Sequence, residues 1–567
     1  RFSIILNGEI YNYRELRRDL ESGGRRFRTG SDTEVLLNAY AEWGIDCLQR
    51  LNGMFAFAIW DDSDKELLLV RDRAGIKPLY YALAGLGLAF ASEIKAILAT
   101  KLVAPEIDLE ALNQCLTFLW PVPPHTLFKG ISQLLPGHLL RVRDGVTTVE
   151  QWWDLDYSAE ESGGNGSDWA ELVLETLDRV TKLEMVADVP LGAFLSGGVD
   201  SSLLVALMSR HSKQKISTYT TGISAGDLSF DIIPDDVKWS RRVAELLPVD
   251  YHETILTPDV ADLLPKLVWH QEAPIIDMAI PTYLISEQAR RTQTVMLSGM
   301  GGDEVFAGYP RQMAMHIARV TDLVPTAVRR PLMRTIERVL PGGGSSRLTA
   351  PMRNAKKFAR SASADFEGRY LGYGTYFTNA MKQGLYSADL GPSMGGFDAY
   401  RYHRDHLAHA RDWSPLNRLL YLDFKTFMPA LNMDTTDKQA MAVNLEVRTP
   451  YLNKEIVELS QRIPAGLKLA GLKRKYVLKL AAESLLPREV IWRRKAGFGA
   501  PIRSWLRGPL RPLIDDLLSP DRVRRRGLFQ AEAVGRVISD FESGREDFSL
   551  HLFQLLTLEM WFELFID

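Results

Sequence analysis

The sequence predicts two unlike architectures in series. A layered antiparallel α+β unit covers residues 1–150, and a doubly wound parallel α/β unit with a helical C-terminal part covers 165–567. Three features predict this. In the first part β-type runs follow one another with few helices between them. From about Asp168 short apolar strands alternate with helical segments. Two of those strands, ending near Leu195 and Leu297, open directly into glycine-rich acidic loops.

Taken in order, Ser3 to Leu6 is an apolar strand that leads to Asn7-Gly8-Glu9, and a polar helix runs from Tyr13 to Leu20. Ser31-Asp32-Thr33-Glu34 has capping-box spacing ahead of Val35, Leu36 and Leu37, so a second helix starts there. β-type segments follow at Met54 to Trp60, Glu66 to Arg71, Leu79 to Ala82 and Gly87 to Ala91. Pro121-Val122-Pro123-Pro124 and Ser162-Gly163-Gly164-Asn165-Gly166 punctuate the connection. A helix from Trp169 to Met185 then precedes the strand Leu191 to Leu195. Further strands are expected at Ile216 to Thr221, Tyr251 to Leu256 and Thr294 to Leu297. Pro341-Gly342-Gly343-Gly344-Ser345-Ser346 predicts a loop. Residues 311–360 hold eleven Lys/Arg against two acidic residues. A solvated helical face is the plainer reading of that bias, and an anion- or partner-facing surface is the other.

Composition narrows the function classes. With 46% hydrophobic and 25% charged residues over 567 positions, the chain can bury sizeable cores in more than one domain. A net charge of -3 gives no general reason to bind nucleic acid or an anionic membrane. No apolar run approaches a membrane span. Two cysteines, Cys47 and Cys115, make neither a disulfide framework nor a metal cluster. A cytoplasmic protein is therefore expected. Cys47, on an apparent helix, reads as a packed core residue.

The strongest motif is Ser196-Gly197-Gly198-Val199-Asp200-Ser201-Ser202, between an apolar strand and a helical run. Glycines let successive N–H groups converge on one anion, and the following helix N-terminus adds partial positive charge. Asp200 would repel a phosphate among those donors unless a cation such as Mg²⁺ bridged them. The second motif, Ser298-Gly299-Met300-Gly301-Gly302-Asp303-Glu304-Val305-Phe306-Ala307-Gly308-Tyr309, also follows a strand. Two such strand ends on one parallel sheet face a single crevice, where Asp303 is placed to share Mg²⁺ with Asp200. Capping of the next helix by Asp303 and Glu304 is the alternative.

These loops match those of N-type ATP pyrophosphatases and, taken together, resemble the glutamine-hydrolysing asparagine synthetase family. Other stretches carry the same resemblance: Arg71-Asp72-Arg73-Ala74-Gly75-Ile76-Lys77-Pro78, Ala91-Ser92-Glu93-Ile94-Lys95, Leu445-Glu446-Val447-Arg448-Thr449-Pro450-Tyr451-Leu452 and Lys495-Ala496-Gly497-Phe498-Gly499-Ala500-Pro501. The family implies ATP-dependent amidation of aspartate through a β-aspartyl-adenylate, with Mg²⁺ and with ammonia drawn from glutamine. By resemblance Leu195, Thr221 and Gly299 line an adenosine pocket with Ser196, Gly197, Gly198, Asp200, Ser201 and Ser298 on the nucleotide. Lys475 faces the reacting phosphate, and Asp277 is a candidate for the substrate amino group. Lys473, Arg474 and Lys475 also read as an ordinary solvated run. A homodimer is expected by family analogy only.

The opening segment resembles a class II, N-terminal-nucleophile glutaminase. Asn7 and Gly8 match its oxyanion hole, and Glu9 and Asp32 match the residues that hold glutamine's amino group. Capping of the following helix is a second role open to Asp32, and a simple tight turn is the other reading of Asn7-Gly8. The resemblance puts the nucleophilic cysteine upstream of Arg1, so the chain from Arg1 onward is expected to use free ammonia rather than hydrolyse glutamine.

Two departures bear on the acceptor. Met300 stands where many relatives carry an acidic residue, and Thr435 where the commonest form has lysine. Methionine cannot serve as a base. Amidation of another carboxylate, such as a sugar acid, therefore remains open beside aspartate, and a non-catalytic nucleotide-binding module is a third reading.

Overall fold

A computed structural model describes the chain apart from residues 86, 225–235, 322–323, 341–351, 353–354, 357, 360, 362–363 and 494–498. The glycine-rich run from Pro341 to Ser346 and the stretch from Lys495 to Phe498 thus lie outside the described residues.

The first part forms two antiparallel sheets. One has five strands in the order β1 (Phe2–Ile10), β2 (Gly53–Asp61), β3 (Glu66–Arg71), β7 (His138–Arg143) and β8 (Val146–Gln151). The other orders β5 (Gly87–Ala91), β4 (Tyr80–Ala84) and β6 (Ile131–Gln133). Alternation along β2 explains the layering. Phe55, Phe57 and Ile59 face helices Tyr13–Ser22 and Asp32–Trp43 through Leu16, Leu20, Val35 and Leu36. Ala56 and Ala58 face the second sheet through Leu79 and Leu134. Small alanines on the inner face let the sheets approach, and large aromatics on the outer face fill the space under the helices. Ser31 caps the second helix by accepting from the Thr33 N–H at 3.1 Å. Glu34 does not close the reciprocal half of the capping box. Its carboxylate instead accepts the N–H groups of Arg28 and Thr29 at 2.8 and 2.7 Å.

The second part is built on a parallel sheet of β11 (Val249–Leu256), β10 (Ile216–Ile223), β9 (Leu191–Phe194), β12 (Val295–Leu297) and β13 (Glu446–Arg448). From β9 the chain winds outward through β10 and β11, then crosses back to place β12 on the other side of β9. The reversal falls between β9 and β12, so the crevice of a doubly wound sheet lies beyond their carboxyl ends. Helices make up most of the rest. The long Ser549–Phe565 helix buries Leu552, Phe553, Leu556 and Trp561 against Leu264 and Leu267 of helix Val260–Gln271.

The two parts share a core. Ile97, Leu112, Leu116 and Phe128 pack in the same apolar cluster as the C-terminal Leu556 and Trp561. A buried polar seam runs beside it. The Lys77 ammonium bonds Asp437 at 2.9 Å, the Tyr80 hydroxyl donates to Asp434 at 2.8 Å, and Lys438 lies 3.3 Å from Glu272. Cys47 and Cys115 are both buried, and desolvation pushes each thiol up to about 12, so neither is a reactive thiolate near neutral pH.

Candidate active site

The loop after β9 folds back on itself before helix Val199–His211. The Ser196 N–H donates to Ser201 Oγ at 3.2 Å, and the Ser201 hydroxyl donates to the Gly198 carbonyl at 3.3 Å. Leu195 is fixed behind the loop: its N–H donates to the Tyr219 carbonyl at 2.9 Å, and its own carbonyl accepts the Thr220 hydroxyl. The Leu195 side chain is packed in the core, and its main-chain N–H and carbonyl are both taken up within the sheet. Thr221 follows Thr220 on β10, opposite Thr254.

The loop after β12 meets the first one closely. Ser298 N–H donates to the Arg448 carbonyl at 2.9 Å, and Gly299 presses on the start of the first helix. A side chain at Gly299 would bring its Cβ to 2.8 Å from the Ser201 nitrogen, so only glycine fits. Helix Gly302–Val305 has Gly301 at its N-cap. Asp303 is therefore not a cap, and its carboxylate turns to Lys475.

Lys475 joins the two loops. Its ammonium lies 2.7 Å from both carboxylate oxygens of Asp200 and 2.6 Å from Asp303 Oδ1. The residue is 3% exposed and left-handed, with φ of 53°, a conformation uncommon outside glycine. It is not part of a solvated run, although its neighbour Lys473 is exposed. Burial alone would lower the Lys475 pKa, but the Asp200 and Asp303 carboxylates outweigh it, so the group is held charged. Gly308 makes room for this contact. A Cβ there would fall 1.8 Å from Asp303 Oδ1 and 2.2 Å from Lys475 Cε.

These carboxylates suit Mg²⁺. The ammonium marks one point that both can reach, as a cation between them requires. Among the described residues no three His, Cys, Asp or Glu side chains gather to hold an ion unaided. Two carboxylates completed by phosphate oxygens and water is the usual magnesium arrangement.

Several contributors were not singled out from the sequence. Arg493 donates from Nη2 to the Ser196 carbonyl and to Asp236 Oδ1, both at 3.1 Å, and so lies against the first loop. The π-helical stretch Asp423–Met433 carries Asn432, which donates to Glu304 at 2.6 Å and to the Tyr309 hydroxyl at 2.9 Å. Beside the acidic pair, Met300 Sδ accepts the Thr436 hydroxyl at 2.9 Å. The Trp492-Arg493-Arg494-Lys495 run was a visible basic signal for Arg493, whereas nothing local in the sequence signals the π-helix. Asp277 lies against Gly499. A Cβ on Gly499 would approach its Oδ2 to 2.3 Å, and its charge raises the Tyr376 pKa after burial.

The glutamine-side residues cluster at one edge of the first sheet. The Asn7 amide donates to Ser92 Oγ at 3.0 Å, and Gly8 lies opposite Phe55 on β1. Asp32 accepts the Ile10 N–H at 3.0 Å, which ties helix Asp32–Trp43 to β1. Glu9 is pushed up to about 7, first by burial and then by Glu446, while Arg448 opposes the shift. Arg448 comes from the other part of the chain. Its guanidinium is 3.5 Å from Glu9 and 2.7 Å from Glu446, and it donates to the Glu184 and Val186 carbonyls at 2.8 and 2.7 Å. One buried arginine thus touches Glu9 with its side chain and Ser298 with its main chain.

The protein joins a layered antiparallel half to a parallel-sheet half whose acidic pair sits at a sheet switch point. Family profiles divide it the same way, "Glutamine amidotransferase domain" matching residues 1–153 and "Asparagine synthase" residues 172–563. The chain belongs to the asparagine synthase family. It is 31% identical to "Asparagine synthetase [glutamine-hydrolyzing] 1" of Bacillus subtilis, over 100% of this chain and 86% of that protein. It is 33% identical to a "Putative asparagine synthetase [glutamine-hydrolyzing]" of Mycobacterium bovis, over 100% and 85%. "Amidase chyE" of Penicillium rubens is also similar, at 29% over 94% and 82%. A solved glutamine phosphoribosylpyrophosphate amidotransferase from B. subtilis aligns at 17% identity over 45% of this chain and 62% of that one. Its TM-score of 0.21 is too low to bear on the fold.

Proposed function

We propose that the chain catalyses ATP-dependent amidation of aspartate to asparagine through a β-aspartyl-adenylate, with ammonia supplied by glutamine hydrolysis in the complete protein. The single observation that carries this reading is the joint grip of Asp200 and Asp303 on Lys475. The relatives named asparagine synthetases support it.

In this reading the loop from Ser196 to Ser202 gives up its internal serine bonds and turns its N–H and hydroxyl donors to the triphosphate. Arg493 adds charge beside that loop. Asp200 and Asp303 would hold Mg²⁺, which would supply positive charge against the phosphates as pyrophosphate departs. Lys475, released from its carboxylates, faces the α-phosphate and stabilises charge there as the aspartate carboxylate oxygen bonds to phosphorus and the bond to pyrophosphate breaks. Ammonia then attacks the acyl carbon, AMP leaves, and the nitrogen sheds a proton. On the glutamine side Asn7 and the Gly8 N–H form the oxyanion hole, and Glu9 and Asp32 hold the substrate ammonium. The acceptor amino group is assigned to Asp277.

The test is product analysis with ATP, Mg²⁺ and ammonium. Asparagine, AMP and pyrophosphate in equal amounts from aspartate support the proposal. A second reading, amidation of a different carboxylate, is favoured by Met300, an uncharged side chain that accepts the Thr436 hydroxyl and cannot serve as a base. Pyrophosphate release that depends on another acid, with no asparagine formed from aspartate, would decide for it.

A further inference from the structure

Six of the eighteen exposed large apolar side chains among the described residues fall between 317 and 352: Ile317, Val324, Val328, Leu332, Val339 and Met352. The same stretch lies within the basic 311–360 segment, with its eleven Lys/Arg against two acids. Scattered exposed apolar groups need no explanation, but a concentration of them in the most basic part of the chain does.

Helix Thr326–Val339 organises both features. Val328, Leu332 and Val339 are 59%, 52% and 74% exposed. At helical spacing they share an arc of about 40°, while Arg330, Arg334 and Arg338 share an arc of about 80° on the opposite flank. All three arginines are exposed. A third flank, through Met333 and Ile336, is partly covered by the body of the protein. The helix is therefore presented as a rod with an apolar side and a cationic side both open. The partner it fits changes from anionic to apolar over the width of one helix, which is the boundary between phosphate headgroups and acyl chains.

We propose that helix Thr326–Val339 is an interfacial anchor that lays Val328, Leu332 and Val339 into an anionic phospholipid surface, with Arg330, Arg334 and Arg338 on the headgroups. No helix of the described chain is long and apolar enough to cross a membrane, so the association is peripheral. It is independent of the amidation reading.

The test is co-sedimentation of the full chain with phosphatidylcholine vesicles, with and without phosphatidylglycerol. The expected result is binding at least ~10-fold greater to the anionic vesicles, falling as salt is added. Leu332→Glu should cut binding at least ~10-fold, and a joint R330Q/R334Q/R338Q change should remove the preference for anionic lipid. These positions are exposed, so unchanged thermal melting confirms that the variants fold. A chain that stays in the supernatant with anionic vesicles overturns the proposal, as does Leu332→Glu binding like the parent. Self-association without lipid that Leu332→Glu abolishes also overturns it, because the stripe then serves a second copy of the chain.

Discussion

The nucleotide loops and the glutamine-side cluster are built on opposite plans. In the first, two short contiguous segments after adjacent parallel strands supply nearly every group, and one lysine joins them. In the second, β1 contributes Asn7, Gly8 and Glu9, a helix contributes Asp32, and the far part of the chain contributes Arg448. Where the sheet itself brings loops together, the chemistry is concentrated in motifs. Where distant segments must dock, it depends on packing of the whole molecule.

The largest effect is expected where the two plans differ most, at the acidic pair. Asp303→Ala should lower pyrophosphate release by at least ~100-fold, since an aligned charge-stabilising group is removed at the reacting phosphates. Lys475→Met should be equally severe for activity. It also leaves Asp200 and Asp303 facing one another without a cation, so added Mg²⁺ should raise its melting temperature more than that of the parent. A magnesium shift in the variant no larger than in the parent would mean that the carboxylates do not form one site.

How much could be read beforehand follows the same division. The loop at Ser196 and the acidic loop at Asp303 were legible because glycine, serine and aspartate occur there at fixed spacing after apolar runs. The joining of the loops by a buried Lys475 was not legible from spacing, because a Lys-Arg-Lys run looks the same whether solvated or buried. β13 and the Asp423–Met433 π-helix were also missed. β13 is only three residues long, and a π-helix differs from an α-helix in hydrogen-bond register rather than in composition. The cap at Ser31 was anticipated. The reach of Glu34 back to Arg28 and Thr29 was not, since it depends on how the preceding loop folds.

The next effect tests how tightly the nucleotide side is packed. Gly308→Ala places a methyl inside the contact of Asp303 with Lys475, where its Cβ would lie 1.8 Å from the carboxylate oxygen. Displacement of either group by about 1 Å should cost about 100-fold in turnover, with a loss of about 1–3 kcal/mol in stability. Chemical denaturation and steady-state kinetics measure the two separately. Normal turnover in a folded Gly308→Ala protein would show that the two loops have slack.

A smaller, pH-dependent effect distinguishes Glu9. Its carboxyl sits near 7, above the unfolded value, so the native state holds an extra proton between the two. The stability this contributes is present in acid and is lost as pH rises through about 7. If Glu9 holds the glutamine ammonium as proposed, glutamine binding has the opposite sign, because that contact needs Glu9 ionised. The dissociation constant for glutamine, read by calorimetry, should therefore rise as pH falls below about 7. Arg448→Met should move that rise to higher pH, since Arg448 favours the charged form. An unshifted profile in a folded variant would reduce Arg448 to a structural group holding the Glu184 and Val186 carbonyls.

The smallest effect concerns the frame that carries Asp32. Ser31→Ala removes the acceptor for the Thr33 N–H and should destabilise the protein by about 1 kcal/mol, a cap-sized loss readable by denaturation. The bond from the Ile10 N–H to Asp32 survives that change, so the helix should remain tied to β1 and the dissociation constant for glutamine should stay within about twofold of the parent. Asp32→Asn is the contrasting substitution. It keeps an acceptor for Ile10 but removes the charge, and so should weaken glutamine binding while costing little stability. If Ser31→Ala weakens binding as much as Asp32→Asn, the helix cap rather than the carboxylate governs the site. The glutamine side would then be as locally determined as the nucleotide loops.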